Sequence, residues 1–472
     1  MYAANSSIKD EEEAMLPHSS REKTIGHVPR GWESTVGFLS LRRVPRYFWV
    51  VMRPSFLSRT TQKPAPMEER TSPKKKYTTE YLDGVRGVAS LIVFILHWSH
   101  NSYPAVNSGW GYENNTSFWL LPFVRLIFSG AAMVSVFFVV SGFVLTHRFI
   151  QRMYKLEYNE LFSGLTSLTF RRAIRLYLPS FASSTLAFIC VCLGLVSIPS
   201  KVEGKRFHHG FHAYLDYLDA ESNPWDWTAN FVGFYNPQLW SIAVEFRGSM
   251  VVFLLVLSLA KARASVRMIV ELFILIHSFA HKRWDVALFI AGMMLAELEV
   301  WASRTNLSRT KWTNAFLVFT LILGLYLCGY PRDGATSTPG YMWSQKVWPY
   351  TAYRRRFWLA IGAILSVGAM VFMPTVQALF MTRPARYLGR ISFALYLVHG
   401  LGNRTIGKWL IHGCWGYFGN EGFWPYTWSF VVSTTLYFPI VIWASDLFWR
   451  TVDVPSTNFA KWLEQACAQE VA

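Results

Sequence analysis

Charged residues are scarce in this chain of 472 residues. They make up 16% of it, whereas soluble globular proteins carry roughly 25%. Hydrophobic residues make up 52%, and the mean hydropathy is +0.21. The apolar residues gather in stretches of about 17–25, the length that crosses a bilayer core. The composition therefore excludes an ordinary soluble protein and predicts an integral membrane protein with many spans.

Cysteine and the short motifs of several enzyme classes are also lacking. The five cysteines show neither metal-ligand spacing nor a disulfide framework; they are Cys190, Cys192, Cys328, Cys414 and Cys467. The sequence contains no nucleophile elbow, P-loop or dinucleotide fingerprint. His208, His209 and His212 have no further ligands at zinc spacing, so we interpret them as part of a solvated loop and expect no metal.

Acidic residues are fewer than basic ones. The chain has 29 Asp and Glu against 46 Lys and Arg, a formal net charge of +17. The basic residues lie between the apolar stretches, which indicates positive-inside topology and no nucleic-acid partner. The bias is moderate, because Arg354, Arg355 and Arg356 lie on the predicted lumenal side. An anionic ligand would also favour basic cytosolic loops.

The hydropathy pattern predicts an all-α, polytopic transmembrane bundle of about ten spans. They lie near 82–102, 126–147, 176–197, 239–260, 266–281, 283–300, 313–330, 357–380, 389–405 and 426–449. Residues 1–80 are polar and basic and predict a largely disordered cytosolic tail, with a candidate interfacial stretch near 47–57. Residues 451–472 predict a short cytosolic C-terminal tail, so the membrane segment 81–450 must carry the chemistry. We expect a signal-anchored protein of the endoplasmic reticulum or a related endomembrane, with both termini cytosolic.

The first span, YLDGVRGVASLIVFILHWSH, contains two ionisable residues on one face. Arg86 lies at its cytosolic mouth and His97 eleven residues later, which is close to three helical turns and about 16 Å. Alone, Arg86 is explained by snorkelling and His97 by a hydrogen bond to a neighbouring helix. Together they favour a site, because ionisable groups at membrane depth usually face a bundle interior or a wet cavity. Histidine suits proton abstraction, and arginine suits phosphate.

The segment LDGVRGVASLIVFILH resembles the opening signature of the acyltransferase-3 family of integral membrane O-acyltransferases. Four further segments resemble family motifs in the family's order: FFVVSGFVL (137–145), RRAIRLYLP (171–179), QLWSIAVEF (238–246) and GRISFALYLVH (389–399). The resemblance covers about 80–450 and is closest to fungal members; Val85 and Val88 replace the commoner Leu and Ile. It implies about ten helices, cytosolic acyl-CoA as co-substrate with no permanently bound cofactor, and Arg86 and His97 as the catalytic core.

Three arginines and one serine in the middle motifs have two interpretations each. Arg171, Arg172 and Arg175 at a predicted cytosolic helix start suit the phosphates of acyl-CoA, or they anchor the helix at the membrane surface. Ser141, beside Gly142, indicates close helix packing or a polar contact to substrate.

The last two motifs contain further polar residues at membrane depth. Trp240, Ser241 and Glu245 open the fourth span, and a buried glutamate needs a partner, which His97, Arg247 or another helix supplies. We favour a structural or His-orienting role for Glu245 over nucleophilic catalysis. His399 contacts the acceptor or caps a polar network, and the sequence does not separate the two.

The function hypothesis is a membrane O-acyltransferase that moves an acyl group, in the first place acetyl, from acyl-CoA to a hydroxyl. We expect a single displacement with a lipophilic acceptor such as a terpenoid or polyketide alcohol of secondary metabolism. The alternatives are O-acetylation of a glycan or lipid-linked sugar and, from another class, a transporter of a lipid or organic anion. The spans show no repeated halves of the kind found in transporters. Membrane lipids, acyl-CoA and the hydroxyl acceptor are the expected partners.

Overall fold

The computed structural model describes residues 52–55, 79–196, 201–202, 205–206, 210–226, 234–305, 310–347 and 351–468. Within these ranges the chain is helical apart from loops and one pair of two-residue antiparallel strands, β1 (Lys201–Val202) and β2 (Lys205–Arg206). This confirms the all-α prediction. The predicted tail 1–80 lies outside the described residues except for 52–55 and 79–80, and so do His208 and His209.

Fifteen α-helices are found in the described residues. They are α1 (Glu80–Ser102), α2 (Gly130–Lys155), α3 (Tyr158–Cys192), α4 (Phe211–Ser222), α5 (Trp240–Leu259), α6 (Ala264–Ala280), α7 (Trp284–Thr305), α8 (Lys311–Cys328), α9 (Ser344–Val347), α10 (Thr351–Val371), α11 (Pro374–Phe380), α12 (Arg383–Gly402), α13 (Lys408–Phe418), α14 (Phe423–Phe448) and α15 (Val454–Cys467). Short 3₁₀ turns at Pro104–Asn107, Tyr112–Asn114, Phe118–Leu120, Val124–Phe128 and Pro237–Leu239 complete the loops, and π-turns at Asn403–Gly407 and Trp449–Asp453 join helices.

A helix lies at each of the ten predicted spans. Seven helices of the described part are long and apolar enough to cross a membrane, or eight if α10 and α11, which are bent by 102°, form one span. Of the other two, α6 has only 17 residues and α12 carries three arginines in its first half. The architecture is therefore an all-α polytopic bundle.

The helix start predicted at Arg171, Arg172 and Arg175, just before the third span, is wrong. The helix α3 begins at Tyr158 and runs for 35 residues. Its first turns are amphipathic and form no apolar stretch of membrane length, but Leu161 and Leu165 are buried in the main core. As a result Arg171, Arg172 and Arg175 lie inside the helix, and Arg171 is about 20 Å from the start of α3. These arginines can therefore contact a phosphate only through their side chains, because the free N–H groups of the helix start are too far away.

The packing of α2 against α7 forms the centre of the bundle. Gly142 of α2 lies against the main chain of Phe289, and Gly292 of α7 lies against the main chain of α2 near Val139 and Phe143. A Cβ atom at either glycine would collide with backbone atoms. Small residues at such a crossing let two membrane helices approach closely, as the sequence indicated for Gly142.

The C-terminal segment after residue 450 is helical as far as Cys467. The helix α14 continues through the π-turn Trp449–Asp453 into α15, which packs against α3. The guanidinium of Arg171 lies 3.0 Å from the carboxylate of Glu464. The C-terminal segment is thus attached to the bundle, and its cytosolic placement stays a prediction.

Candidate functional site

The first and twelfth helices cross in direct contact. Gly87 of α1 lies against the backbone of Leu388 and Gly389, and Gly389 lies against the carbonyl of Asp83, with no room for a Cβ atom at either glycine. This close approach aligns the two helices along their length. It places the ring of His97 beside the ring of His399, with the ring centroids 5.3 Å apart and the planes tilted by 36°.

The two histidines differ in exposure. His399 is 1% exposed, whereas His97 is exposed. The Nδ1 atom of His399 lies 3.0 Å from the carbonyl oxygen of Leu395. A carbonyl oxygen only accepts hydrogen bonds, so a neutral His399 carries its proton on Nδ1 and leaves Nε2 as an acceptor. A second ring nitrogen with acceptor character is thereby available beside His97.

Tyr396 connects His399 to the start of α5. Its ring lies 5.9 Å from the His399 ring, and its hydroxyl donates to the carbonyl of Gln238 at 2.8 Å. The same hydroxyl lies 2.6 Å from Oγ of Ser241. All three of these residues are buried, so the hydrogen bonds fix the orientation of Tyr396 and of the histidine packed against it.

The other end of the α1 face contains the predicted phosphate-binding arginine. Arg86 lies 3.8 Å from Asp83, and both side chains are substantially exposed, at 39% and 66%, so this pair is weak. Arg175 of α3 is exposed and interacts electrostatically with both Arg86 and Asp453. Arg86 and Arg175 therefore interact with each other and with the carboxylate of Asp453, and Arg86 has the further weak pair with Asp83.

Arg172 is held by Glu245 in a buried polar cluster. Its Nη2 donates to Oε1 of Glu245 at 2.6 Å and its Nε donates to Oγ of Ser249 at 2.9 Å. Ser141 also donates to Oε1 of Glu245, at 2.6 Å. The cluster joins α2, α3 and α5, and Glu245 obtains its partner from another helix, one of the alternatives that the sequence left open.

The two other candidate partners of Glu245 are used elsewhere. Arg247 donates to Asp285 at 2.6 Å, and His97 pairs with His399. Trp240 packs beside the ring of Trp284, with centroids 6.3 Å apart. Of the predicted set, the structure thus brings together His97 with His399, Arg86 with Arg175, and Ser141 with Arg172 and Glu245.

Sequence reasoning missed Tyr396 and Gln238 as parts of the site. Tyr396 lies three residues before His399 in the motif GRISFALYLVH, so the two share a helix face, and this spacing was the available signal. Gln238 lies in a 3₁₀ turn, and no sequence pattern marked it. Among the described residues, no group of three His, Cys, Asp or Glu side chains is close enough to hold a metal ion.

Comparison with known proteins identifies the family. A family model described as an acyltransferase domain matches residues 79–450. The chain belongs to the acyltransferase-3 family. All five segments that carry the resemblance lie within the matched range.

Three curated fungal proteins are similar to this acyltransferase-family chain. It is 26% identical to the O-acetyltransferase PaAT-1 of Phomopsis amygdali, over 88% of each chain. It is 23% identical to the acyltransferase clz18 of Cochliobolus lunatus, over 82% of this chain and 96% of the relative. It is also 23% identical to the acyltransferase R4 of Phoma sp. (strain ATCC 20986 / MF5453), over 83% of this chain and 97% of the relative. No solved structure matches the chain.

Proposed function

We propose that this protein transfers an acyl group, in the first place acetyl, from acyl-CoA to the hydroxyl of a lipophilic small molecule within the membrane. The observation that carries the proposal is the His97–His399 pair, whose ring centroids lie 5.3 Å apart. His97 lies on α1, and the same face of α1 carries Arg86 three turns away. The name of the O-acetyltransferase from Phomopsis amygdali supports acetyl as the transferred group.

His97 acts as the general base. One of its ring nitrogens takes the proton of the acceptor hydroxyl as the oxygen attacks the thioester carbonyl, so a C–O bond forms and the C–S bond breaks. The leaving thiolate of coenzyme A then takes the proton from His97. A histidine suits both transfers, because its ordinary pKa of about 6.5 lies near neutral pH.

His399 holds the base in position. With its proton on Nδ1 and Leu395 as that proton's acceptor, Nε2 accepts a hydrogen bond from the ring N–H of His97, which leaves the other ring nitrogen of His97 to take the hydroxyl proton. The hydrogen bond between Tyr396 and Ser241 limits rotation of this part of α12, so Nε2 of His399 stays in one place.

The donor binds along α1. Arg86 and Arg175 take the phosphates of coenzyme A at the cytosolic mouth, since arginine guanidinium groups bind phosphate in a bidentate fork. The pantetheine arm spans the roughly 16 Å between Arg86 and His97. Arg172 and Arg171 are paired with Glu245 and Glu464, so their charges are largely compensated and they act by holding α3 in place.

The acceptor is a terpenoid or polyketide alcohol. His97 lies within the apolar span α1 and is exposed, so an alcohol dissolved in the bilayer reaches it without crossing into water. We place the protein in the endoplasmic reticulum or a related endomembrane, with the mouth at Arg86 in the cytosol.

The test is turnover of acetyl-CoA by the purified full-length protein with a panel of lipophilic alcohols. We expect ester formation in the wild type, loss of at least a hundredfold in kcat for His97→Ala, and unchanged activity for the control His281→Ala, which alters an exposed histidine remote in sequence from the motifs. Arg86→Gln is expected to raise the KM for acetyl-CoA at least tenfold.

Two results would contradict this mechanism. Full turnover by His97→Ala would exclude His97 as the base. Absence of coenzyme A binding to the folded wild type, measured by calorimetry, would refute the acyl-CoA-dependent reaction and favour transport.

A further inference from the structure

A small polar pocket lies at the end of α1 remote from Arg86. It is formed by the loop after α1, the start of α2, the end of α8 and the start of α10, and three arginines line it: Arg125, Arg332 and Arg355. Asn107, Ser129 and Tyr330 add polar groups to the same wall. The three guanidinium groups come from three separate segments of the chain, so the tertiary fold gathers them.

Some N–H donors of the arginines in this pocket make no hydrogen bond among the described residues. Arg125 is 4% exposed and uses Nη1 for the carbonyl of Ser108 at 3.1 Å and Nη2 for the carbonyl of Asn107 at 3.5 Å. Its Nε atom and the Nε atom of Arg355 are buried and have no hydrogen-bond partner among the described residues. A buried charged donor without a partner is costly, so these two groups require an acceptor.

The charge of the pocket is not balanced by the described side chains. None of its lining residues is acidic. The nearest carboxylate to Arg332 is that of its neighbour Asp333, at 4.0 Å, with side chains 58% and 50% exposed, a geometry that contributes little. Arg355 is repelled by Arg332 and Arg125, and Asp333 attracts both Arg355 and Arg125, so one half-exposed carboxylate stands against three guanidinium groups. Three like charges at one pocket favour a bound anion over an empty site.

The start of α2 adds to the positive potential. Ser129, which lines the pocket, is the N-cap residue of this 26-residue helix, and its own side chain makes no capping hydrogen bond. The positive end of the helix dipole attracts oxyanions. The helix start and the three guanidinium groups therefore favour the same class of ligand.

We propose that this pocket binds a phosphate group, on the side of the bundle opposite the acyl-CoA mouth. Guanidinium forks and a helix N-terminus are the groups that recognise phosphate oxygens. The phosphate belongs either to a lipid headgroup of the adjoining leaflet or to a soluble phosphate compound. The site is separate from the phosphate contacts at Arg86 and Arg175, and the proposal does not depend on the acyl-transfer mechanism.

One side chain connects this phosphate pocket to the histidine helix. The main-chain oxygen of Asn107 accepts from the N–H groups of Arg332 at 2.9 Å and Asp333 at 3.2 Å, and its side-chain Nδ2 lies 2.8 Å from Nδ1 of His100. His100 lies one turn after His97 on α1. An anion in the pocket therefore stabilises the loop that holds the end of this helix.

The experiment measures the unfolding temperature of the purified full-length protein in detergent, at constant ionic strength. The probes are inorganic phosphate and, separately, micelles containing phosphatidic acid, with diacylglycerol micelles as the lipid control. We expect a probe-dependent rise for the wild type and at least a tenfold loss of apparent affinity for Arg332→Gln and for Arg355→Gln. Arg356→Gln is the matched control, because Arg356 is exposed and stacks over Trp284 outside the pocket.

The outcomes separate the sources of the phosphate and test the site. Stabilisation by phosphatidic acid alone identifies a lipid headgroup, and stabilisation by inorganic phosphate as well identifies a soluble ligand. The proposal is overturned if neither probe stabilises the wild type, or if Arg332→Gln and Arg355→Gln respond as strongly as Arg356→Gln. Arg125 is left unchanged, since its hydrogen bonds to Ser108 and Asn107 support the loop itself.

Discussion

Replacing Glu245 by Gln tests the buried cluster that joins α2, α3 and α5. In the native protein Glu245 accepts from Arg172 at 2.6 Å and from Ser141 at 2.6 Å, and the side chains of the ion pair are only 14% and 15% exposed. The substitution Glu245→Gln keeps an oxygen for Ser141 but removes the negative charge. Arg172 is then a buried cation that is also repelled by Arg175 and Arg86.

The expected loss follows from this arrangement. Removing one partner of a buried ion pair costs about 3–5 kcal/mol, because the remaining charge stays buried without compensation. Because the Gln oxygen still accepts hydrogen bonds, we expect the lower end, about 3 kcal/mol in the free energy of unfolding. The double variant Glu245→Gln with Arg172→Met removes both charges, so we expect its loss to be smaller than the sum of the two single losses by a coupling energy of at least about 2 kcal/mol.

The assay is reversible unfolding in mixed micelles, followed by tryptophan fluorescence. Glu160→Gln serves as the matched control, because its partner Arg152 lies 3.7 Å away and the Glu160 side chain is 66% exposed, so its loss should stay below about 1 kcal/mol. If Glu245→Gln is no more destabilising than Glu160→Gln, or if the double variant is less stable than either single variant, the cluster does not hold the helices together as argued.

Two other predictions concern packing and pH. Gly142→Ala should destabilise the fold by about 1–3 kcal/mol, since its Cβ would meet the main chain of Phe289, whereas Gly413→Ala, with open space around it, should be neutral or stabilising in the same thermal assay. Burial raises the pKa of Glu221 from 4.5 to about 7; the folded state thus holds this proton more tightly than the unfolded state, and its stabilising contribution is lost as pH rises from 4.5 to 7. That loss is about 3 kcal/mol at most, at about 1.4 kcal/mol per pKa unit, and a pH series of unfolding midpoints should show it in the wild type and not in Glu221→Gln.

The positions of the helices were predictable from hydropathy because a membrane span has to satisfy its backbone hydrogen bonds internally. Every apolar stretch of the right length therefore became a helix. The start of α3 was not predictable in this way. Its first turns are amphipathic, with Leu161, Leu165 and Leu168 at helical spacing and packed in or against the main core, and a search for apolar stretches of membrane length does not detect such a segment.

The site was predictable where one helix determines it. Arg86 and His97 share a face because their spacing is fixed by the helical repeat. The pairing of His97 with His399 depends on the crossing of α1 and α12 at Gly87 and Gly389, a contact between distant segments that no local pattern encodes. The partner of Glu245 could not be predicted for the same reason. The sequence offered several candidate partners, and only the packing of α3 against α5 brings Arg172 to Glu245.

The three arginines of the third motif show why a shared motif does not give a shared role. Arg171 pairs with Glu464 and Arg172 with Glu245, so their charges are largely compensated and their removal acts first on the packing of α3. Arg175, one turn further along, is exposed; it is repelled by Arg86 and attracted by Asp453, and Arg86 has the weak pair with Asp83. A polyphosphate bound at this mouth would relieve the repulsion between Arg86 and Arg175. The paired arginines Arg171 and Arg172 hold α3 in place, and Arg86 and Arg175 remain available to bind the anion.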